Sequence, residues 1–150
     1  MTTNYDILNA QAKSLVEGET DLIANMANIS ALLFNNMTDL NWAGFYRVVN
    51  NELVLGPFQG QPACIRIGMG KGVCGTAALR RETMVVEDVH QFDGHIACDA
   101  ASNSEIVIPI ILNEAVIGVL DIDSPVFSRF NQKDAKGLQG IVDALVDSIK

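Results

Sequence analysis

Positive charge is scarce in this chain: ten Lys and Arg stand against eighteen Asp and Glu, giving a formal net charge of −8 over 150 residues. Only Arg80 and Arg81 are adjacent, so no basic stripe is available to follow a phosphate backbone, and nucleic acid is not an expected partner. Long apolar runs are also missing. Ile106–Leu112, interrupted by Pro109, falls far short of the roughly 20 residues that cross a bilayer, so no membrane association is expected. The N-terminus, Met1-Thr2-Thr3-Asn4-Tyr5-Asp6, has neither the basic region nor the apolar stretch of a secretory signal. Cytoplasmic residence is the expectation, in a compartment that keeps thiols reduced. Repeats, low-complexity tracts and linker-like segments are absent, and the length suits one domain with its own core.

Cysteine is scarce too, but its three positions are distinctive. Cys64 follows Gly60-Gln61-Pro62-Ala63, Cys74 lies in Gly70-Lys71-Gly72-Val73-Cys74-Gly75, and Cys98 closes Asp93-Gly94-His95-Ile96-Ala97 and precedes Asp99. An odd count leaves at least one thiol unpaired in any oxidised monomer. Neighbours of this kind suggest loops more than packed core, and any disulfide formed in a reducing compartment is transient and catalytic. Cys98 has the richest polar setting for making a thiolate, and once oxidised to a sulfenic acid it can be resolved by a second thiol. Cys64, on a proline-containing loop, is a candidate for that thiol. Cys74 is either a spare or simply packed at a helix start. The spacings contain no Cys-x-x-Cys knuckle, so structural zinc is not expected.

Three carboxylates cluster in the pattern. Glu105 opens one apolar run, and Asp121 and Asp123 close the next. Alternate residues of a strand share a face, so Asp121 and Asp123 project together, with Glu105 on the antiparallel partner at the same end. Converging carboxylates raise at least one pKa, which supplies a proton donor near neutrality, and they can hold an ammonium group. Trp42 and Tyr46, four apart on an earlier strand, share a face as core or as an apolar wall for a ligand.

The periodicity predicts a helix through Tyr5, Leu8, Ala12, Leu15 and Val16, ended by Gly18. A second helix follows a Thr20 or Asp21 cap, with Leu22, Ile23, Met26, Ile29, Leu32, Leu33 and Phe34 as its apolar face. Strands are expected at 42–49 and 52–58 about an Asn50-Asn51 turn. A glycine-rich loop through Gly75, a short helix at 73–80 and a short strand at 84–86 come next. An irregular loop at 91–103 leads to a hairpin of 105–112 and 115–122 about Asn113-Glu114. A final helix spans 131–150. Helices at both ends of a mainly antiparallel sheet describe an α+β domain.

These residues resemble the free methionine-(R)-sulfoxide reductases, which are stand-alone GAF-domain enzymes. The matching segments are Asn41-Trp42-Ala43-Gly44-Phe45-Tyr46, Leu55-Gly56-Pro57-Phe58-Gln59-Gly60, Pro62-Ala63-Cys64, Gly70-Lys71-Gly72-Val73-Cys74-Gly75, Gly94-His95-Ile96-Ala97-Cys98-Asp99, Ser104-Glu105-Ile106-Val107 and Leu120-Asp121-Ile122-Asp123-Ser124. The resemblance implies a single GAF domain over residues 1–150: a central antiparallel sheet, terminal helices on one face, active-site loops on the other. It implies Cys98 as the nucleophile on the sulfoxide sulfur, Cys64 as the main resolving thiol through a Cys64–Cys98 disulfide, and Cys74 as a secondary recycling thiol. Glu105, Asp121 and Asp123 would bind the polar groups of the free amino acid, and Trp42 and Tyr46 would face its methyl end. Thioredoxin would be the reductant, with no metal or bound cofactor, and a homodimer is compatible with a small GAF protein. Two rivals of other classes are a non-catalytic GAF module that senses a small molecule and a thiol redox sensor.

Overall fold

The computed structural model describes residues 2–95, 98 and 100–150. Strands β1 (Trp42–Val49), β2 (Glu52–Gly60), β3 (Arg66–Gly68), β4 (Met84–Val86), β5 (Ser104–Leu112) and β6 (Ala115–Ser124) form one sheet in the order β3-β2-β1-β6-β5-β4. Every neighbouring pair is antiparallel. Helices α1 (Tyr5–Val16), α2 (Leu22–Asn36) and α4 (Gln132–Ile149) cover one face, and α3 (Gly72–Arg80) lies against the other. This is the expected α+β architecture.

Local chemistry sets the boundaries. The side chains of Asn4 and Asp21 accept from the amides of Ile7 and Ala24 and so cap α1 and α2. Asn131 and Asp134 form a reciprocal capping box at α4. Asp134 also accepts a 2.6 Å hydrogen bond from the Tyr5 hydroxyl, which ties α1 to the start of α4. Both long hairpins close through two consecutive residues of positive φ, Asn50 (52°) with Asn51 (63°) and Asn113 (50°) with Glu114 (68°), the geometry that matches strand twist.

Alternation along β5 and β6 divides the interior in two. Ile106, Ile108, Ile110, Leu120 and Ile122 face the three large helices with Met26, Leu33, Leu138 and Leu145. Val107 and Val119 point the other way, toward Trp42, Tyr46, Leu53, Val73 and Ala77. Glu105, Asp121 and Asp123 share the parity of that second set.

Several expectations need correction. Leu15 and Ile23 are 42% and 44% exposed, so the apolar stripes of α1 and α2 are narrower than the sequence suggested. The glycine-rich stretch is not loop throughout: it holds the end of β2, all of β3 and the first turn of α3. β2 carries one extra residue opposite β1 between Gly44 and Tyr46. The bulge accommodates Pro57, which has no amide hydrogen for a ladder. A Cβ on Gly75 would lie 2.4 Å from the Gly68 carbonyl oxygen. Only glycine lets α3 settle this closely on β3.

Candidate functional site

The carboxylates meet because of register. Glu105 pairs with Asp123 and Val107 with Asp121 across β5 and β6, while Trp42 pairs with Asp123 across β1 and β6. All three acids are nearly buried, at 7%, 5% and 9% exposure for Glu105, Asp121 and Asp123. The solvated strand end, the ordinary fate of such residues, does not apply here. Strand parity brings them together, and α3 with the loops above it removes the water.

They line a cavity of about 40 Å³ together with Trp42, Tyr46 and all but one of the thiols: Cys74 and Cys98 form part of its wall. Cys64 reaches it through Cys98. The two are joined in a disulfide across 34 positions of sequence, with Cα atoms 5.4 Å apart. Both are half-buried. Cys74 is the free thiol and is buried, on the first turn of α3, so it is packed at a helix start. Its Sγ donates toward Glu105 Oε2 at 3.9 Å.

Burial governs the electrostatics. Desolvation, reinforced by the charges of Asp121 and Asp123, pushes Glu105 well above the usual carboxylate range. Asp121 is also raised by burial, with hydrogen bonds from Glu105 and Cys74 opposing the rise. Burial first, then the surrounding carboxylates, lifts the Cys74 thiol far from thiolate formation. Both shifts favour the protonated form of Glu105 and Asp121. His95 also lines the cavity; burial and then the nearby His90 ring lower its pKa, which favours the neutral imidazole.

The aromatic pair does something not foreseen from sequence. Trp42 Nε1 donates to the Gln61 carbonyl at 3.1 Å, and the Tyr46 hydroxyl donates to the Cys64 carbonyl at 2.8 Å. Their rings are stacked with centroids 6.0 Å apart, and Phe58 extends the stack at 5.1 Å from Trp42. They form the wall and also fasten the loop that carries Cys64. Ser102, 6% exposed, is a further lining residue that sequence reasoning passed over. The Asn41 side-chain amide donates to its hydroxyl at 3.0 Å; a lone serine in an irregular loop gives no pattern to find it by. Asp99, suggested as an acidic neighbour of Cys98, lies outside the described residues. Among the described residues, Cys74, Glu105 and Asp121 present ligand atoms within 4.8 Å of one another, the one set able to hold a metal ion.

An antiparallel sheet with helices on one face and a pocket on the other suits a GAF domain, and the GAF domain model matches residues 24–150. Relatives narrow this. The free methionine-R-sulfoxide reductase of Escherichia coli (strain K12) is 56% identical over 144 residues, 96% of this chain and 87% of that protein. The reduced form of fRMsr from Staphylococcus aureus superposes with a TM-score of 0.97 at 54% identity, covering 99% of this chain and 97% of that one. Free methionine-R-sulfoxide reductase from Neisseria meningitidis in complex with its substrate gives 0.94 at 41% identity, covering 99% and 92%. The chain belongs to the free methionine-(R)-sulfoxide reductase family of GAF domains. The segment before residue 24 contributes α1, which packs on α4.

Proposed function

We propose that the protein reduces free L-methionine-(R)-sulfoxide to L-methionine and is recycled by thioredoxin. The observation that carries this reading is the placement of Cys98 on the wall of a cavity floored by three buried carboxylates. Sulfoxide oxygen leaves only when protonated, so the nucleophile needs a neutral carboxylic acid beside it. Burial keeps Glu105 and Asp121 toward that form. An ionised partner among the same three offers the counter-charge for the ammonium of a free amino acid, a group that a peptide-bound residue lacks.

In this scheme the Cys98 sulfur attacks the sulfoxide sulfur as the oxygen takes a proton. The oxygen passes to Cys98, which becomes a sulfenic acid, and methionine departs as the thioether. Cys64 then attacks the sulfenic sulfur, forming the Cys64–Cys98 disulfide and releasing water. The dithiol of thioredoxin reduces that bond and is itself oxidised to a disulfide. Cys74, buried with its thiol neutral, serves only as a slow substitute for Cys64. The pairing seen here supports the second step, since it is the bond that step forms. Among the described residues no helix is long and apolar enough to cross a membrane, and a thioredoxin-coupled cycle fits the cytoplasm.

The test is NADPH consumption in the presence of thioredoxin and its reductase, with free methionine-R-sulfoxide, its S epimer and a peptide-bound sulfoxide offered in parallel. Turnover of the free R epimer alone is expected. A folded, reduced sample that turns over none of the three would shift the reading to a sensing module.

A further inference from the structure

Cys64 and Cys98 share one bond but not one setting. Cys98 forms part of the cavity wall, whereas Cys64 stands outside that lining, on the irregular segment 61–65 between β2 and β3. The sheet grips this segment by its carbonyl groups. Gln61, Cys64 and Ile65 accept from Trp42 Nε1, the Tyr46 hydroxyl and the Leu55 amide at 3.1, 2.8 and 2.8 Å. The amides of Ala63, Cys64 and Ile65 donate to no acceptor among the described residues. Ile65, next to the disulfide, is 66% exposed, more than any other large apolar side chain among those residues. Directly after it, β3 is an edge strand, paired only with β2. Unspent amides on a fixed segment beside a sheet edge offer main-chain pairing to an incoming protein. The isoleucine gives such a contact its apolar centre.

We propose that the protein reductant docks on Ala63, Cys64 and Ile65 and attacks the sulfur of Cys64, not that of Cys98. The reductant is the dithiol protein assigned above, and the proposal rests on that reading. From the cavity side, a thiolate reaches Cys98 only by entering a space of about 40 Å³, room for a few waters and not for a protein loop. Attack at Cys64 leaves the cavity untouched. The reductant's thiolate bonds to Cys64 Sγ, the Cys64–Cys98 bond breaks, and Cys98 leaves with the electron pair and takes a proton. The reductant's second thiol then loses its proton and attacks its own partner sulfur, so that Cys64 departs with the electron pair and is protonated. Two electrons pass from the reductant, which ends as a disulfide. The nucleophile is freed in the first exchange, and Cys64 alone carries the adduct.

The test starts from the full chain with its disulfide formed and uses no sulfoxide, so it does not depend on the substrate assignment. Reduction by thioredoxin, its reductase and NADPH is followed as one burst of NADPH oxidation over a range of thioredoxin concentrations. Ile65→Asp should lower the second-order rate constant about tenfold or more, because a charge then meets the apolar centre of the contact. Dithiothreitol should reduce the same variant at the wild-type rate, which also shows that it is folded. Leu15→Asp, an exposed site on α1 across the sheet, should match the wild type with both reductants. Thioredoxin whose second active-site cysteine is serine, quenched in acid during the first exchange and alkylated, should be found by mass spectrometry on Cys64. An adduct on Cys98, a wild-type rate for Ile65→Asp with thioredoxin, or equal losses with dithiothreitol or in Leu15→Asp overturns this surface and leaves the thioredoxin assignment standing. Failure of thioredoxin to reduce the wild type, with dithiothreitol effective, overturns both.

Discussion

The Tyr46 hydroxyl donates a 2.8 Å hydrogen bond to the Cys64 carbonyl, so a residue in the middle of the sheet holds the backbone of the loop that carries Cys64. Trp42 does the same three residues before Cys64, at Gln61. Tyr46→Phe removes the donor and keeps the ring. It should cost about 1 kcal/mol of stability and slow disulfide closure more than the preceding chemical step. Thermal melts and rapid-quench thiol counting after a single addition of sulfoxide measure the two effects. Closure at the wild-type rate would mean that the bond serves packing alone.

The cysteine roles separate in single-turnover experiments. Cys98→Ser should release no methionine at all. Cys64→Ser should release one equivalent at the normal rate and then recycle slowly through Cys74. A Cys98→Ser enzyme that still turns over, or a Cys64→Ser enzyme with unchanged steady-state rate, defeats the assignment.

Burial of Glu105 makes stability depend on pH in a stated direction. Its folded pKa is raised above the unfolded one, so the native state holds the proton over a window that starts near the ordinary glutamate value, about 4.3. Below that window the contribution is present in full. It is lost as pH rises toward the folded value, by at most about 1.4 kcal/mol per pH unit for one group. Glu105→Gln does not ionise, so its melting temperature should gain on the wild type as pH increases from 4 toward neutrality. Parallel melting curves for the two proteins would show that Glu105 is not protonated in the fold.

Glu114 occupies the second turn position between β5 and β6 with φ of 68°, where an L side chain is strained by roughly 1–2 kcal/mol. The Arg81 guanidinium donates there to the Glu114 carbonyl, which glycine retains. Glu114→Gly should therefore raise stability, by up to about 1 kcal/mol after the entropy of glycine in the unfolded chain is offset, with reductase kinetics unchanged. Chemical denaturation measures it.

Much of this fold is legible from periodicity and turn chemistry. Asn50-Asn51 and Asn113-Glu114 mark their hairpins, and the alternation through Asp121 and Asp123 sets three acids on one face. β3 is not legible, because Arg66-Ile67-Gly68 carries a single apolar residue amid glycines and becomes a strand only by pairing with Glu52, Leu53 and Val54. Leu15 and Ile23 follow helical spacing yet face outward, since the neighbouring helices cover a narrower stripe than hydropathy suggests. The burial of Glu105 depends on α3 lying across the sheet, a tertiary fact with no local signature. The partners of Trp42 and Tyr46 are backbone carbonyls, which any residue at Gln61 or Cys64 would offer.

The bond between Cys64 and Cys98 spans 34 positions and encloses β3, α3 and β4 in a covalent ring. Closing a ring of that size removes unfolded-chain entropy worth up to about 4 kcal/mol in the chain-entropy account. Under the proposed cycle, molecules that have just completed a turnover are then harder to melt than those ready for the next. Heat resistance becomes a ledger of catalytic history: in a sample short of reductant, the relative heights of two melting transitions count the enzyme that has spent its electrons.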